Sequence, residues 1–327
     1  MQVAEAYFFH DYECELWSLA KQMGITDAVV PLTSLTEGNA WEYDNLARIQ
    51  QMYAKGGLRV TVIESMPPSN KIKLGLPGRD EEIAYFQTLI RGMGKLGIPV
   101  LCYNFMAEFG WFRSALDIPT RGGALVSGYD HKQMEQEPLT AHGHVSEETL
   151  WSNLQYFMER VVPVAEEAKV KLALHPDDPP ISPIRGISRI LRNADALQRA
   201  IDLVPSPYNG ITFCQGTLAT AGDDIPKAIR QFGRQDKIFF VHFRDVSGTA
   251  DKFHETFHDD GKTDMFAAMK TYYEIGYNGP VRADHVPTMA GEKNEFPGYE
   301  IMGRLFGNGY MLGLMEAAGY KRYGISW

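Results

Sequence analysis

The stretch VHFRDV, residues 241–246, closes an apolar run that begins at Lys237 (KIFFVHFRD, 237–245). It reads as a short buried strand with a polar break at its C-terminal end. His242 lies inside the apolar part, where an unpaired imidazole is costly. Three other strand-like runs end in the same way. KLALHP (171–176) carries His175, ITFCQG (211–216) carries Cys214, and VRADHVP (281–287) carries Asp284. Two histidines, a thiol and a carboxylate, each at the C-terminal end of a buried strand, point to one shared metal ion.

Working outward from this stretch, eight runs have strand length: residues 3–9, 27–32, 58–65, 98–105, 171–176, 208–216, 237–245 and 279–286. They alternate with helix-length amphipathic segments at 12–23, 40–56, 79–96, 146–168, 186–203, 220–233, 263–275 and 299–318. Strict alternation predicts a parallel sheet with right-handed crossovers. Eight units over this length fit an α/β protein with a closed, eight-stranded (β/α)8 TIM barrel, taken as a single domain over 1–327. An open doubly wound sheet is the runner-up, but no GxGxxG follows the first strand. A long loop after strand four, about residues 106–145, has no sustained periodicity. Residues 246–262, after strand seven, are polar and read as a mobile lid carrying His254 and His258. Ser146 opens the helix at 146 with an imperfect capping box. The closing helix contains GRLFG and GYMLG. It reads as packed closely through its glycines, since Arg304, Asn308 and Glu316 interrupt any membrane span.

The bulk composition narrows the function. A net charge of −9 argues against a nucleic-acid partner, because phosphate binding needs a basic face. No run of about twenty apolar residues occurs, so no membrane partner is expected. The start, MQVAEAYFFHDYECEL, lacks a signal peptide's basic and apolar regions. Cysteines at 14, 102 and 214 are too few for a disulfide framework. A reducing cytoplasm is therefore the expected compartment, where Cys214 stays available as a thiolate ligand. The sequence allows a homo-oligomer without specifying one.

In such a barrel the C-terminal strand ends converge on the active face. His175, Cys214, His242 and Asp284 would end strands five to eight and so approach one centre. Nitrogen, sulfur and oxygen donors together suit Mn, Fe, Co or Zn and fit Ca poorly. Each residue alone has an ordinary reading: a hydrogen-bonded core histidine, a small buried cysteine, an aspartate capping a turn. Their placement at four successive strand ends is what favours the metal. His285, directly after Asp284, and Tyr299, at the start of the last helix, are the acid–base candidates. On a strand, Asp284 and His285 would point different ways, one to the metal and one to the loop. Glu64, Asn104 and Arg113 also fall on the active face as substrate-binding candidates, Arg113 through its fork for a carboxylate. Asp177 and Asp178, before Pro179 and Pro180, suit a role behind the metal or in the turn.

The segments VIESMPPSNKIKLGLPGRD, VLCYNFM, LHPDDPP, FCQGT, VHFRDV, FHETFHDDGKTDM and ADHVPTMAGE resemble the mannonate dehydratase family of metal-dependent sugar-acid lyases. The resemblance runs from about residue 58 to the C-terminus. It implies a TIM barrel akin to the xylose isomerase-like enzymes and a divalent ion at His175, Cys214, His242 and Asp284. That ion is usually Mn²⁺, with Fe²⁺, Co²⁺ or Mg²⁺ as alternatives. The implied reaction removes water from D-mannonate to give 2-keto-3-deoxy-D-gluconate, a step in hexuronate breakdown, and its acid–base residues map onto His285 and Tyr299. The chain reads RADHV where many members read RPDHG, with Ala283 in place of a proline. Two other readings stand beside this one: a metal-dependent sugar isomerase or epimerase on the same barrel, and a non-catalytic binding protein that a metal merely stabilises.

Overall fold

The computed structural model describes residues 1–8 and 14–321; the end of the expected first strand (residue 9) and the start of the first helix (residues 12–13) lie outside them. In chain order the strands are β1 (Gln2–Ala6), β2 (Asp27–Val30), β3 (Arg59–Glu64), β4 (Val100–Asn104), β5 (Ala115–Pro119), β6 (Leu125–Asp130), β7 (Lys171–His175), β8 (Asn209–Cys214), β9 (Ile238–Phe243), β10 (Val246–Thr249), β11 (Lys252–Glu255) and β12 (Pro280–Ala283). Eight of them close a barrel in the order β1-β12-β9-β8-β7-β4-β3-β2. Neighbouring barrel strands pair in parallel. The barrel interior is lined by small and aromatic side chains such as Ala4, Val29, Val62, Ala173 and Phe240. A second apolar layer fills the space between the barrel and its helices.

The expected helix at 79–96 is present with those limits, ended by Gly97 at φ 69°. Two others differ. The helix expected over 186–203 is confined to Ala194–Leu203, with Asn193 capping it. The one expected over 220–233 is two helices, Gln215–Ala221 and Ile225–Gly233, because Gly222 (φ 94°) ends the first and Asp224 caps the second. A short helix, Asn70–Leu74, lies where none was expected. Ser146 does cap the helix Glu147–Ala168, accepting from the Thr149 amide at 3.2 Å. The Thr149 hydroxyl meets the Ser146 hydroxyl at 3.0 Å.

The segments expected to be an unpatterned loop and a mobile lid are instead built into one structure. β5 and β6 from the first join β10 and β11 from the second in a four-stranded antiparallel sheet, ordered β10-β11-β6-β5. The reason no periodicity announced it is distance along the chain: Lys252 pairs with Asp130 and Phe253 with Tyr129. His258 is buried and donates from Nε2 to the Phe243 carbonyl at 2.8 Å, which fixes the segment to the barrel. The closing helix, Ile301–Ala318, packs through glycine as expected. A Cβ on Gly303 would come within 2.2 Å of the Pro287 carbonyl oxygen. Among the described residues no helix is long and apolar enough to cross a membrane.

Candidate active site

Four adjacent barrel strands, β7, β8, β9 and β12, carry the expected metal donors to one place. Cys214 and His242 are paired in register. Donor atoms of His175, Cys214 and His242 all lie within 4.8 Å of one another. Asp284 Oδ2 is 3.6 Å from His242 Nδ1. The tautomers follow from the other ring nitrogens. His175 Nδ1 donates to the Pro176 carbonyl at 2.6 Å, which leaves Nε2 as its acceptor. His242 Nε2 lies 3.1 Å from a Glu64 carboxylate oxygen, which leaves Nδ1. The two remaining nitrogens face each other at 3.1 Å. Two ring nitrogens that close, beside a thiol and a carboxylate, are satisfied either by a proton shared between them or by a cation bound to both. The donor set therefore fits a divalent transition metal, with each histidine oriented from behind by an oxygen acceptor.

The surrounding charges act in the same direction. Burial alone would raise the Cys214 thiol, but Arg244 and His175 hold it well below its ordinary value. Burial and Arg282 oppose a charge on His242, yet Glu64 and Asp284 raise it well above the imidazole range, so positive charge is favoured at that ring. Asp284, although buried, is held well below the usual carboxylate range, chiefly by Arg282. Glu64, half-buried at the cavity wall, is held at about 2 by Arg282 and His242.

A cavity of about 180 Å³ opens over these residues. That is below the roughly 300 Å³ of common ligand pockets, which points to a small molecule. Asn104, Trp111, His285 and Tyr299 line it together with Glu64, His175, His242 and Asp284. Asp284 and His285 were expected to point apart, yet both face the cavity. His285 has φ 35°, which breaks the strand alternation and brings its Nε2 within 3.5 Å of Asp284 Oδ1. Its ring stacks on Trp111, with centroids 4.9 Å apart and planes 8° apart. Tyr299 lies two residues before the last helix and donates to Asp284 Oδ1 at 3.3 Å.

Arg113 does not play the part its type suggested. The Arg113 guanidinium holds both oxygens of Asp178, at 2.6 and 2.9 Å, an oxygen of Glu255 through Nε and Nη2, and the Phe112 carbonyl. All five N–H groups are thereby used, so it cannot clamp a substrate carboxylate. Glu64 lines the cavity, but Arg282 binds its two oxygens at 2.7 and 2.9 Å, so it serves Arg282 and His242. Sequence reasoning missed Arg244, which follows β9. It joins Glu255 at 2.6 Å, Asp178 and Asp284, and reaches Thr217, whose hydroxyl meets the Cys214 sulfur at 3.2 Å. It also missed Arg282, Glu255, Trp111 and Cys102. The available signal was charge inside or directly after a buried strand, at Arg244 and Arg282, since a buried guanidinium requires acids nearby.

Comparison with known proteins agrees with this fold. The profile of the D-mannonate dehydratase (UxuA) family matches residues 1–141 and 135–323, so the likeness reaches the first strands that the motifs left out. A mannonate dehydratase of Thermotoga maritima is 39% identical over 90% of this chain and 91% of its own length. Mannonate dehydratase 2 of Halalkalibacterium halodurans is 35% identical over 97% of this chain and 99% of its own. The crystal structure of mannonate dehydratase from Streptococcus suis serotype 2 superposes with a TM-score of 0.91 at 34% identity, covering 100% of this chain and 99% of that one. A D-psicose 3-epimerase from Clostridium cellulolyticum shares the fold, with a TM-score of 0.60 at 16% identity over 97% of this chain and 96% of that one.

Proposed function

This chain belongs to the mannonate dehydratase family and is a hydro-lyase of a sugar acid, and from that premise we propose that it converts D-mannonate to 2-keto-3-deoxy-D-gluconate and water. His175, Cys214, His242 and Asp284 would hold a divalent ion, Mn²⁺ foremost. The observation that supports this reading is the pair of facing histidine nitrogens 3.1 Å apart, flanked by Cys214 and Asp284 and opening into a cavity walled by His285 and Tyr299. When bound, the ion supplies Lewis-acid polarisation of the substrate carboxylate, which makes the hydrogen on the adjacent carbon acidic.

The chain's own residues do the proton work. One of His285 and Tyr299 takes the proton from the carbon beside the carboxylate. The other gives a proton to the hydroxyl leaving the next carbon, and the resulting enol becomes the 2-keto acid. Both are held for this: Trp111 fixes the plane of His285, and the Tyr299 hydroxyl is anchored on Asp284. Arg113, Arg244 and Arg282 pair with Asp178, Glu255, Glu64 and Asp284 and hold them in place. The test is formation of the 2-keto-3-deoxy acid from D-mannonate by chelator-stripped protein reloaded with Mn²⁺. Metal-dependent turnover is expected. An ion-loaded protein that releases no keto acid from D-mannonate would retire the substrate.

A further inference from the structure

Lys73 is a buried lysine that the chemistry above does not use. It sits in the short helix Asn70–Leu74, between β3 and the helix Arg79–Leu96. That helix is fixed from two sides. Glu82 accepts from the Ile72 amide at 3.1 Å, and Asn153 donates to the Lys73 carbonyl at 2.9 Å. The ammonium is directed at neutral acceptors: Asn104 Oδ1 at 3.2 Å, the Met106 carbonyl at 3.1 Å and the Met66 sulfur at 4.0 Å. Among the described residues no carboxylate lies within ion-pair distance of it, and burial draws its pKa down to about 7. An ammonium buried without an acid gives little stability, so its position calls for another explanation.

Asn104 supplies one. Its Oδ1 accepts twice, from Lys73 Nζ and from the Met106 amide at 3.1 Å. Two donors on that atom settle which end of the amide is oxygen. The Nδ2 end, with no acceptor among the described residues, is therefore left to the cavity that Asn104 lines. Asn104 is paired in register with His175 at the ends of β4 and β7, so this donor stands beside the metal donors.

We propose that Lys73 is a positioning residue for the sugar-acid chain: it locks the Asn104 amide so that Nδ2 donates to a substrate hydroxyl beside His175. This rests on the sugar-acid reading of the site. It differs from a merely structural lysine in predicting that Lys73 acts only through Asn104.

The experiment is a double-substitution cycle read as KM and kcat for D-mannonate, with bound Mn²⁺ per chain measured on every protein. Lys73→Met and Asn104→Ala should each raise KM about tenfold, at about 1.4 kcal/mol per decade, with kcat and metal content little changed. The double variant should be no worse than Asn104→Ala alone. Asn104→Asp keeps an oxygen partner for Lys73, exchanges the Nδ2 donors for a second acceptor oxygen and adds a negative charge that Lys73 can pair, so it serves if Lys73→Met fails to fold. It should fold stably and still raise KM. Effects that multiply in the double variant, or an unchanged KM in Asn104→Asp, would overturn the proposal. A wild-type protein that does not turn over D-mannonate would sink the substrate reading and this inference with it. Wild-type turnover with a KM indifferent to these variants would sink Lys73 alone.

Discussion

By type alone, Arg113 is the side chain best suited to clamp a carboxylate, and in the folded chain none of its N–H groups is left for one. The meaning of a single residue here depends on partners far along the chain: Asp178 and Glu255 lie 65 and 142 positions from Arg113. His285 and Tyr299 depend less on such distant partners, because Asp284, their shared contact, is close in sequence. Their roles can be separated. Tyr299→Phe keeps the ring that packs on His285 at 5.3 Å and removes only the hydroxyl. His285→Asn keeps a polar side chain but loses the imidazole. Each should lower kcat by roughly 10²–10⁴, the usual worth of a general acid or base, with the metal content unchanged. Exchange of the substrate's α-hydrogen with solvent deuterium then assigns the order. The variant that has lost only the acid keeps exchanging, and the one that has lost the base does not. Wild-type kcat in either variant would remove that residue from the mechanism.

Among elements, the barrel strands were legible because each is a short, continuous apolar run followed by turn residues, a local signal. The small antiparallel sheet was not. Its strands are four to six residues long, and β6 and β11 meet across more than a hundred positions. Neither half carries a pattern of its own, and Glu255, which ties the sheet to the barrel through Arg113 and Arg244, reads in the sequence as one more polar residue. The closing helix was legible for a different reason: its glycines promised close packing, and the structure distinguishes among them. A Cβ on Gly303 would meet the Pro287 carbonyl oxygen at 2.2 Å and Val286 at 2.8 Å, whereas one on Gly313 meets nothing within 4 Å. Alanine favours a helix interior over glycine by up to about 1 kcal/mol. Overpacking against fixed backbone costs about 1–3 kcal/mol. Gly303→Ala should therefore be less stable than the parent, and it should also lower kcat, because Val286 and Pro287 directly follow His285. Gly313→Ala should be neutral or slightly more stable. Urea midpoints and kcat measured for both variants check this, and an unaffected Gly303→Ala would mean that the helix shifts freely against the loop.

At the scale of the whole molecule, the barrel gathers at one end what the sequence spreads over 220 positions, from Glu64 to Asp284. The four residues proposed as metal donors could be picked out in advance because a single rule, strand ends on one face, applies to all four. The arginines could not, since their acids come from other units of the fold. Together these groups form four carboxylates (Glu64, Asp178, Glu255 and Asp284) and, counted as a thiolate, Cys214, which is held well below its ordinary value, against three guanidinium groups (Arg113, Arg244 and Arg282). That is a surplus of one negative charge while the His242 ring is protonated, and of two once a metal takes that proton's place, in a largely buried region where like charges repel strongly. A dication removes the surplus and also joins four strands of the barrel through their ends. Binding of the ion should thus be visible as stability of the entire fold, independent of turnover. At a free metal concentration about a hundred times Kd, linkage gives about 2.7 kcal/mol. For a chain of this size that corresponds to a rise in Tm of roughly 5 °C. Chelator-stripped protein titrated with Mn²⁺ should show this rise, and His242→Ala should lose both the rise and the bound ion. A His242→Ala protein that keeps stoichiometric metal and the same Tm shift would place the ion elsewhere and detach the four strand ends from the role assigned to them.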